Sequence, residues 1–277
     1  MKTASADSSV PAQDKSHYNL FNMTPPGLRR PFYTDYGALS PYTIDAGAYA
    51  ADVSFGYGYR ERSGDMVERT YTSWHYGNMW LKAGLLNNLD LEVGVQPWQT
   101  RTLTVKDPTG HDSITHSGFG DLLTRVKLNV LNNDGGPAAL SFAATMKWPT
   151  ANTHLMRRDD YEGGLSAQFG YQCPCGLEMR INSGFMLSES DRGCWESCFN
   201  NRIAFYHPVP FVADLSALAA FNSDVSNARR SNWEGEFQTG FIYQPTPNFQ
   251  MFLGSTFGVN GKVNDFGPSV SMDLRFP

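Results

Sequence analysis

Long apolar runs are missing from this sequence of 277 residues. A transmembrane helix needs about 20 consecutive, mostly apolar residues, and no stretch of the chain provides them. Long basic runs are missing too, because no run exceeds a pair such as Arg29-Arg30, and 22 Lys and Arg stand against 27 Asp and Glu. The sequence therefore excludes a helical membrane protein and gives no electrostatic reason to expect a nucleic-acid partner.

Catalytic and cofactor signatures are also missing. The chain has no phosphate-binding glycine loop, zinc signature or nucleophile elbow, so we expect no enzyme activity, no cofactor and no metal. His111-Asp112-Ser113 has the spacing that a barrel phospholipase needs, but the segment is predicted to be a long loop, which favours a chance match. Asp107 and Asp112 in the same segment are predicted to be solvated rather than to hold calcium.

Cysteine is scarce, with four residues in two close pairs. If residues 176–187 form a membrane strand, the pairs lie at opposite ends of it, roughly 25 Å or more apart, and cannot cross-link. A local disulfide between Cys194 and Cys198 is one prediction and free thiols are the alternative. Cys173 and Cys175 are predicted to form a strained bridge or to remain free, and a metal site is disfavoured because other ligands are lacking.

What the sequence does contain is a repeat of alternating apolar and polar residues closed by turns. The last segment shows it clearly, since Val270, Met272 and Leu274 alternate with Ser and Asp. Segments of this kind are typical of strands that meet lipid with one face and a wet lumen with the other. The pattern predicts about twelve strands, at residues 46–60, 70–85, 88–105, 120–132, 138–149, 161–173, 176–188, 197–207, 210–222, 232–244, 248–259 and 266–276.

The turns and aromatics fit this interpretation. Short turn-forming connections such as Asn87-Asn88 alternate with longer and more charged ones, as at the periplasmic and extracellular ends of outer-membrane barrels. Aromatic residues gather near the predicted strand ends, where barrels carry their two interfacial girdles. We therefore predict a single antiparallel transmembrane barrel over residues 45–277 in the bacterial outer membrane. Residues 1–44 are predicted to be an exported, loosely ordered segment that is periplasmic or associated with the lumen.

The N-terminus lacks the apolar core of a signal peptide. The barrel prediction therefore assumes a signal that has been removed or lies upstream.

The lumen is the predicted functional region. Ten acidic and seven basic side chains share the inward register, which predicts a transverse field and a weak preference for cations in an open pore. The alternative is that these charges pair across a narrow barrel and plug it. An aromatic path along the second strand is also predicted, unless a bulge at Gly77 turns part of it outward. The predicted lumen-lining residues are Asp52, Trp74, Tyr76, Trp80, Lys82, Asp90, Glu92, Arg125, Lys127, Lys147, Glu178, Arg180, Arg202, Asp214, Glu234, Glu236, Asp273 and Arg275.

Three segments resemble one known family. Arg30–Asp35 followed by Ser40–Gly47 resembles the opening motif "RPxFTxSPxTVPxG" of the outer-membrane family labelled MetA-pathway of phenol degradation, with Tyr36–Leu39 inserted and Asp45 in place of proline. Gly118–Leu122 with Arg125–Lys127 is similar to its "GxGD" strand, and Lys147–Thr150 to its "LPTG". The resemblance implies an outer-membrane barrel that passes small, often aromatic or hydrophobic compounds.

The sequence thus favours a passive outer-membrane channel whose partners are lipid and a small solute. It leaves open a closed structural or adhesive barrel, a barrel phospholipase and a soluble all-β binding protein. It does not predict an oligomeric state.

Overall fold

The computed structural model contains fourteen β-strands. It describes residues 15–276 except 26–27, 31–32, 34, 65–66, 135, 152–160, 190–194, 227–231 and 261–262. Among these residues no helix is long and apolar enough to cross a membrane. The strands are β1 (Tyr49–Ser63), β2 (Glu68–Leu86), β3 (Leu89–Val95), β4 (Trp98–Asp107), β5 (Gly110–Gly118), β6 (Leu122–Leu131), β7 (Ala138–Trp148), β8 (Glu162–Gln172), β9 (Glu178–Glu189), β10 (Trp195–Pro208), β11 (Leu215–Ser226), β12 (Asn232–Thr246), β13 (Phe249–Gly258) and β14 (Phe266–Phe276).

The strands form one closed antiparallel barrel with twelve strand positions around its wall, as the sequence predicts. We call each position a stave, and two of the staves contain two strands each. The strands pair in the order β1-β14-β13-β12-β11-β10-β9-β8-β7-β6-β3-β2-β4-β5, and β1 closes the ring by pairing with both β14 and β2. Two staves are interrupted. β3 and β4 form one stave broken at Gln96-Pro97, because proline has no backbone N–H to give to the ladder, and β5 and β6 form the next stave, broken at 119–121.

The two ends of the barrel differ. Both β1 and β14 reach the same end, where the connections are short, at 87–88, 132–137, 173–177, 209–214 and 247–248. We call this the short-turn end. The opposite end carries the longer connections 149–161 and 259–265 and a continuation of β1, β2, β4 and β5. An even number of staves with both termini at the short-turn end is the arrangement of bacterial outer-membrane barrels.

The outer face is apolar. Large side chains such as Leu91, Phe142, Phe241 and Leu253 are 37% to 62% exposed in this molecule, whereas a water-soluble protein would bury most of them. They alternate with polar inward residues along each strand, and aromatics such as Tyr243 lie near the strand ends. An apolar outer belt around a polar interior suits a bilayer and not water.

A bulge in β2 reverses the alternation there. Gly77 has a φ of +69°, and pairing with β1 shifts between Ser54 and Gly56. In the part of β2 that precedes Gly77, Trp74 lies opposite Tyr57 and contacts its ring. Trp74 and Tyr76 are 47% and 43% exposed. The prediction that these two residues line the lumen is therefore wrong, because one extra residue turns the following side chains to the other face.

Two further expectations need correction. Residues 110–118, predicted as loop, form β5, which pairs with β4 around a turn in which Asp107 accepts hydrogen bonds from the backbone of Thr109 and Gly110. Asp214, predicted to lie on a lumen-lining strand, is in the 209–214 turn with a φ of +60°, because β11 begins only at Leu215.

The three described cysteines lie toward the two ends of β9. Cys173 and Cys175 flank the turn between β8 and β9, and Cys198 lies in β10 opposite Met186 of β9, near the other end. The thiols of these three residues are free. Cys194 is outside the described residues, so the predicted Cys194–Cys198 pairing stays a prediction.

Candidate functional site

The lumen is filled at the short-turn end by the chain's own N-terminal part. We call the described residues within 28–48 the plug segment. Ala38, Ser40, Asp45 and Ala46 are at most 1% exposed, although none belongs to a strand. A barrel of twelve strands has an interior too wide for its own side chains to fill, and the plug segment occupies that space.

Asp45 is the central anchor of the plug segment. Its carboxylate accepts hydrogen bonds from the backbone N–H and the Nε of Arg30, at 2.9 and 3.1 Å, and from the guanidinium of Arg275 on β14. The Arg30 guanidinium also donates to the backbone oxygen of Asn87 at 2.7 Å. All three charged residues are buried. A buried carboxylate between two guanidinium groups is stabilised by pairing, and removing it leaves both cations uncompensated.

A second ionic anchor joins the plug segment to the wall. The carboxylate of Asp35 pairs with the ammonium of Lys82 on β2 and accepts the backbone N–H of Ser40 at 2.7 Å. Burial opposes ionisation of Asp35, but Lys82 and, second, Lys127 outweigh it and hold the pKa of that carboxyl well below its usual range. Next to them, Glu92 accepts from Arg125 at 2.9 Å, and Lys127 lies 3.7 Å from Asp90.

Neutral hydrogen bonds complete the docking. The hydroxyl of Tyr206 on β10 bonds the backbone oxygen of Tyr36 and lies 3.3 Å from the backbone nitrogen of Ala38. The side-chain amide of Asn182 on β9 exchanges two hydrogen bonds with the backbone of Leu39, at 2.6 and 3.0 Å. Backbone groups that would otherwise be buried without partners are satisfied by wall side chains in this way.

An apolar cluster supports the same contact. The ring of Tyr36 stacks on Phe252 with centroids 4.9 Å apart, and Gly37 lies against Leu218 and Ala204. Gly37 has a φ of +76°, and a Cβ there would come within 2.9 Å of Leu218. The segment thus needs glycine for both its backbone conformation and its fit.

The short-turn half of the lumen is largely filled in this structure. The cavity between the plug segment and Arg275 measures about 10 Å³, which is no more than a single water molecule needs. Wall residues Asp90, Glu92 and Gln168 are fully buried at this level.

Among the described residues, the long-loop half of the lumen, which we call the vestibule, contains cavities with charged walls. On β10, β11 and β12 a cavity of about 260 Å³ is lined by Arg202, Asp224, Glu234 and Glu236. Asp224 lies directly opposite Glu234 in the ladder. Asp224 was not among the predicted lumen residues, because β11 was predicted to end at 222 and extends to Ser226.

A second cavity, of about 420 Å³, lies between β1, β2, β4 and the loop before β14. Its lining includes Arg60, His75 and Arg101. Arg60 and Arg62 follow the register of Asp52 on β1, and the sequence analysis missed both of them and Arg69, which stands opposite Arg62. A strict count of alternation beyond residue 60 could have found Arg62. The face on which the β2 side chains before Gly77 lie cannot be counted in the same way, because it depends on the bulge.

Most of the other predicted lumen residues lie on the inner wall. Trp80 contacts the Arg125 guanidinium at 4.4 Å, Lys147 pairs with Glu162, and Arg180 bonds Glu178 at 2.6 Å. Asp52 faces Asp273 across β1 and β14. The inner wall therefore carries both paired charges and, at Asp52 and Asp273, two acids opposite each other.

The phospholipase candidate lies elsewhere. His111 and Ser113 alternate with Asp112 on β5, opposite Lys106 and Thr104. They share the outer face of this extension with Thr100 and Thr102, and the Ser113 hydroxyl is 3.3 Å from that of Thr104. His111 and Ser113 therefore do not face the lumen.

Comparison with solved structures identifies the type of fold. The crystal structure of the COG4313 outer membrane channel from Pseudomonas putida F1 is similar, with a TM-score of 0.62 at 13% identity, covering 89% of this chain and 100% of that one. The fold is that of outer-membrane β-barrels. Two other structures are more distant. The NanC porin has a TM-score of 0.46 at 12% identity, covering 82% of this chain and 99% of that one. The translocator domain of the autotransporter NalP from Neisseria meningitidis has a TM-score of 0.46 at 11% identity, covering 83% of this chain and 88% of that one.

No protein-family model matches the chain, and comparison with curated protein sequences finds no significant match. The resemblance to the MetA-pathway family is therefore not confirmed at the level of the family, and what is shown is the outer-membrane barrel fold.

Proposed function

We propose that this protein is an outer-membrane channel for small molecules whose short-turn half is closed by its own N-terminal segment. The observation that carries the proposal is the division of the lumen. One half, the vestibule, contains cavities with charged walls among the described residues, and the other is filled by residues that belong to no barrel strand. The similar COG4313 protein is described as a channel, which agrees with this function.

The contacts of the plug segment suit a removable closure. The barrel ladder is complete without it, because β1 pairs with both β14 and β2. The segment is held largely by ion pairs and by hydrogen bonds from wall side chains, and water can replace such partners when the segment leaves. Its departure would therefore open the lumen without breaking a strand pair of the barrel.

Conductance in planar bilayers tests the proposal. Asp45→Asn leaves Arg30 and Arg275 facing a neutral side chain, so the plug segment should dock less firmly. We expect the full-length variant to open at least several times more often than the wild type. Asp265→Asn, in the loop before β14, removes a carboxylate 3.4 Å from Arg62 without touching the plug segment and should leave the opening frequency unchanged.

A closed structural barrel is the second candidate, and the buried ion pairs around Asp45 favour it. It predicts no conductance from the wild type, from Asp45→Asn or from a double variant that also carries Asp35→Asn. That result, obtained with protein that still shows heat-modifiable gel mobility, would contradict the channel proposal.

A further inference from the structure

We infer that the turn between β8 and β9 is a thiol–disulfide exchange site. In this site Cys175 attacks a disulfide-bearing oxidant, and Cys173 then displaces the oxidant to close a disulfide within the turn. The chemistry goes beyond the channel function and does not depend on it, because it needs only the folded barrel. The two thiols have different roles, and these can be measured separately.

The backbone of this turn is rigid. The N–H of Gly176 donates to the backbone oxygen of Cys173 at 2.9 Å, and the N–H of Cys173 donates to the backbone oxygen of Leu177 at 2.8 Å. Pro174, at the second position of the turn, has its φ fixed by its ring. Gly176 has a φ of +87°, which a residue with a Cβ rarely adopts. The sequence Cys-Pro-Cys-Gly therefore holds two cysteines at fixed positions in one hydrogen-bonded turn.

The turn brings the two sulfur atoms together. The backbone N–H of Cys175 points to the Sγ of Cys173, with nitrogen and sulfur 3.5 Å apart. The two thiol side chains are hydrogen-bonded to each other, and the backbone N–H of Leu177 donates to the sulfur of Cys175. Each sulfur thus receives a hydrogen bond from a backbone N–H, and such bonds favour the thiolate over the thiol.

The surroundings of the two thiols separate their roles. Cys175 is exposed, whereas Cys173 is partly covered. Hydrogen bonding by the Cys173 side chain and, second, by the backbone N–H of Leu177 lowers the pKa of the Cys175 thiol. Because the thiolate is the nucleophile in thiol chemistry, Cys175 is the thiol that meets and attacks an oxidant in solution. Cys173 lies next to it and is placed to react second.

The exchange is balanced without a further reactant. The Cys175 thiolate attacks one sulfur of the oxidant, the S–S bond of the oxidant breaks, and its other half leaves as a thiolate. The Cys173 thiolate then attacks the Sγ of Cys175, and the second half leaves in the same way. One bond between Cys173 and Cys175 forms. The turn loses two electrons and two protons, and the disulfide of the oxidant becomes two thiols.

The spacing of the two cysteines permits this bond. A disulfide joins residues whose Cα atoms are about 4.4 to 6.8 Å apart. Two residues that are separated by one other residue in a closed turn fall in this range, because consecutive Cα atoms are about 3.8 Å apart and the chain bends between them.

The location of the turn supplies the oxidant. The turn lies at the short-turn end, and short turns face the periplasm in outer-membrane barrels. The bacterial periplasm is an oxidising compartment in which disulfides form and persist. An exposed pair of thiols at this end therefore meets disulfide-bearing proteins and small disulfides, which are the class of oxidant that the exchange needs.

Mass spectrometry tests whether the disulfide closes. The experiment uses the full-length folded protein in detergent with Cys194→Ser and Cys198→Ser, so that Cys173 and Cys175 are the only thiols of the chain. This parent protein is incubated with oxidised glutathione at neutral pH and quenched with a maleimide. We expect a disulfide between Cys173 and Cys175 as the main product. A product that keeps both thiols, or that accumulates as the glutathione adduct, overturns the inference.

Single variants in the same background separate the two roles. Cys173→Ser removes the thiol that reacts second and keeps a hydroxyl beside Cys175, so the glutathione adduct of Cys175 should accumulate at about the rate at which the parent closes its disulfide. In Cys175→Ser the remaining Cys173 should react at least tenfold more slowly, because it is partly covered. Equal rates in the two variants, or a faster reaction of Cys173, overturn the assignment.

Two controls accompany these measurements. Each variant must show the heat-modifiable gel mobility of the parent, which confirms that the barrel is folded. Conductance is recorded separately. A barrel that conducts but does not close this disulfide contradicts only the exchange site, and one that closes the disulfide but never conducts contradicts only the channel function.

Discussion

At the scale of single residues, the direction of a side chain decides whether a charge is tolerated. Phe237 and Gln238 are neighbours on β12, but Phe237 is 41% exposed on the lipid face and Gln238 lines the acidic vestibule cavity. An arginine facing the middle of the bilayer costs about 2 to 4 kcal/mol. In the vestibule the same arginine would meet Glu236 and Asp224.

We therefore expect Phe237→Arg to destabilise the barrel by about 2 to 4 kcal/mol in phospholipid vesicles and Gln238→Arg to leave stability almost unchanged. Urea-induced unfolding followed by tryptophan fluorescence measures both. Similar losses at the two positions would contradict the assignment of faces on β12.

The sequence placed most lumen residues correctly, because alternation is a strictly local rule. It failed where the rule is interrupted. Trp74 and Tyr76 were assigned inward with a bulge at Gly77 as the alternative, and only the pairing of β1 with β2 decides between the two. Asp214 was assigned inward because a strand was predicted from residue 210, whereas β11 begins at Leu215.

At the scale of elements, the bulge itself can be tested. Gly77 holds φ +69°, a conformation that costs a residue with a Cβ roughly 1 to 2 kcal/mol. Gly77→Ala should lose about that much stability in urea unfolding. Gly110→Ala, in the hairpin turn where a Cβ would meet nothing within 4 Å, should be close to neutral. If both variants matched the wild type, the backbone at 77 would not be constrained.

The plug segment is the second element with a measurable stability. Tyr206→Phe removes the hydroxyl that bonds the backbone of Tyr36 and Ala38, a loss of about 1 to 3 kcal/mol where the partner stays buried. We expect faster hydrogen exchange over residues 35–45 and unchanged exchange in β12. Tyr243→Phe, in the lipid-facing girdle, is the matched control, and faster exchange of the plug segment in that variant too would argue against the assigned contact.

No sequence pattern predicted that docking. The plug segment has no periodicity, and its partners come from turns and strands up to 245 residues away, as in the Arg275 to Arg30 bond. Such pairings depend on closure of the barrel, which only the register of all twelve staves determines. Strand β5 was missed for a related reason. Its Thr and Ser side chains pair across strands, but polar residues on both faces look like a loop.

At the scale of the whole molecule, the acidic and basic side chains of the vestibule lie mostly on separate walls. In the short-turn half several lumen acids pair with bases, and in the vestibule an acidic wall on β11 and β12 stands away from a basic wall on β1, β2 and β4. The sequence analysis expected a small acidic excess and therefore a weak preference for cations. The inward arginines of β1, β2 and β4 remove that excess, so the wild-type channel should select ions only slightly.

Selective neutralisation of either wall should then reveal its field. Glu234→Gln together with Glu236→Gln leaves the basic wall unopposed, and the channel should come to prefer anions. Arg60→Gln together with Arg101→Gln should shift the preference toward cations, and both shifts should shrink as salt rises, because a 1 M solution screens charges beyond about 3 Å. Reversal potentials in a salt gradient measure this, with Asp45→Asn as the background if wild-type openings are rare. Shifts of the same sign in both double variants, or none in either, would mean that the ion path does not pass between these two walls.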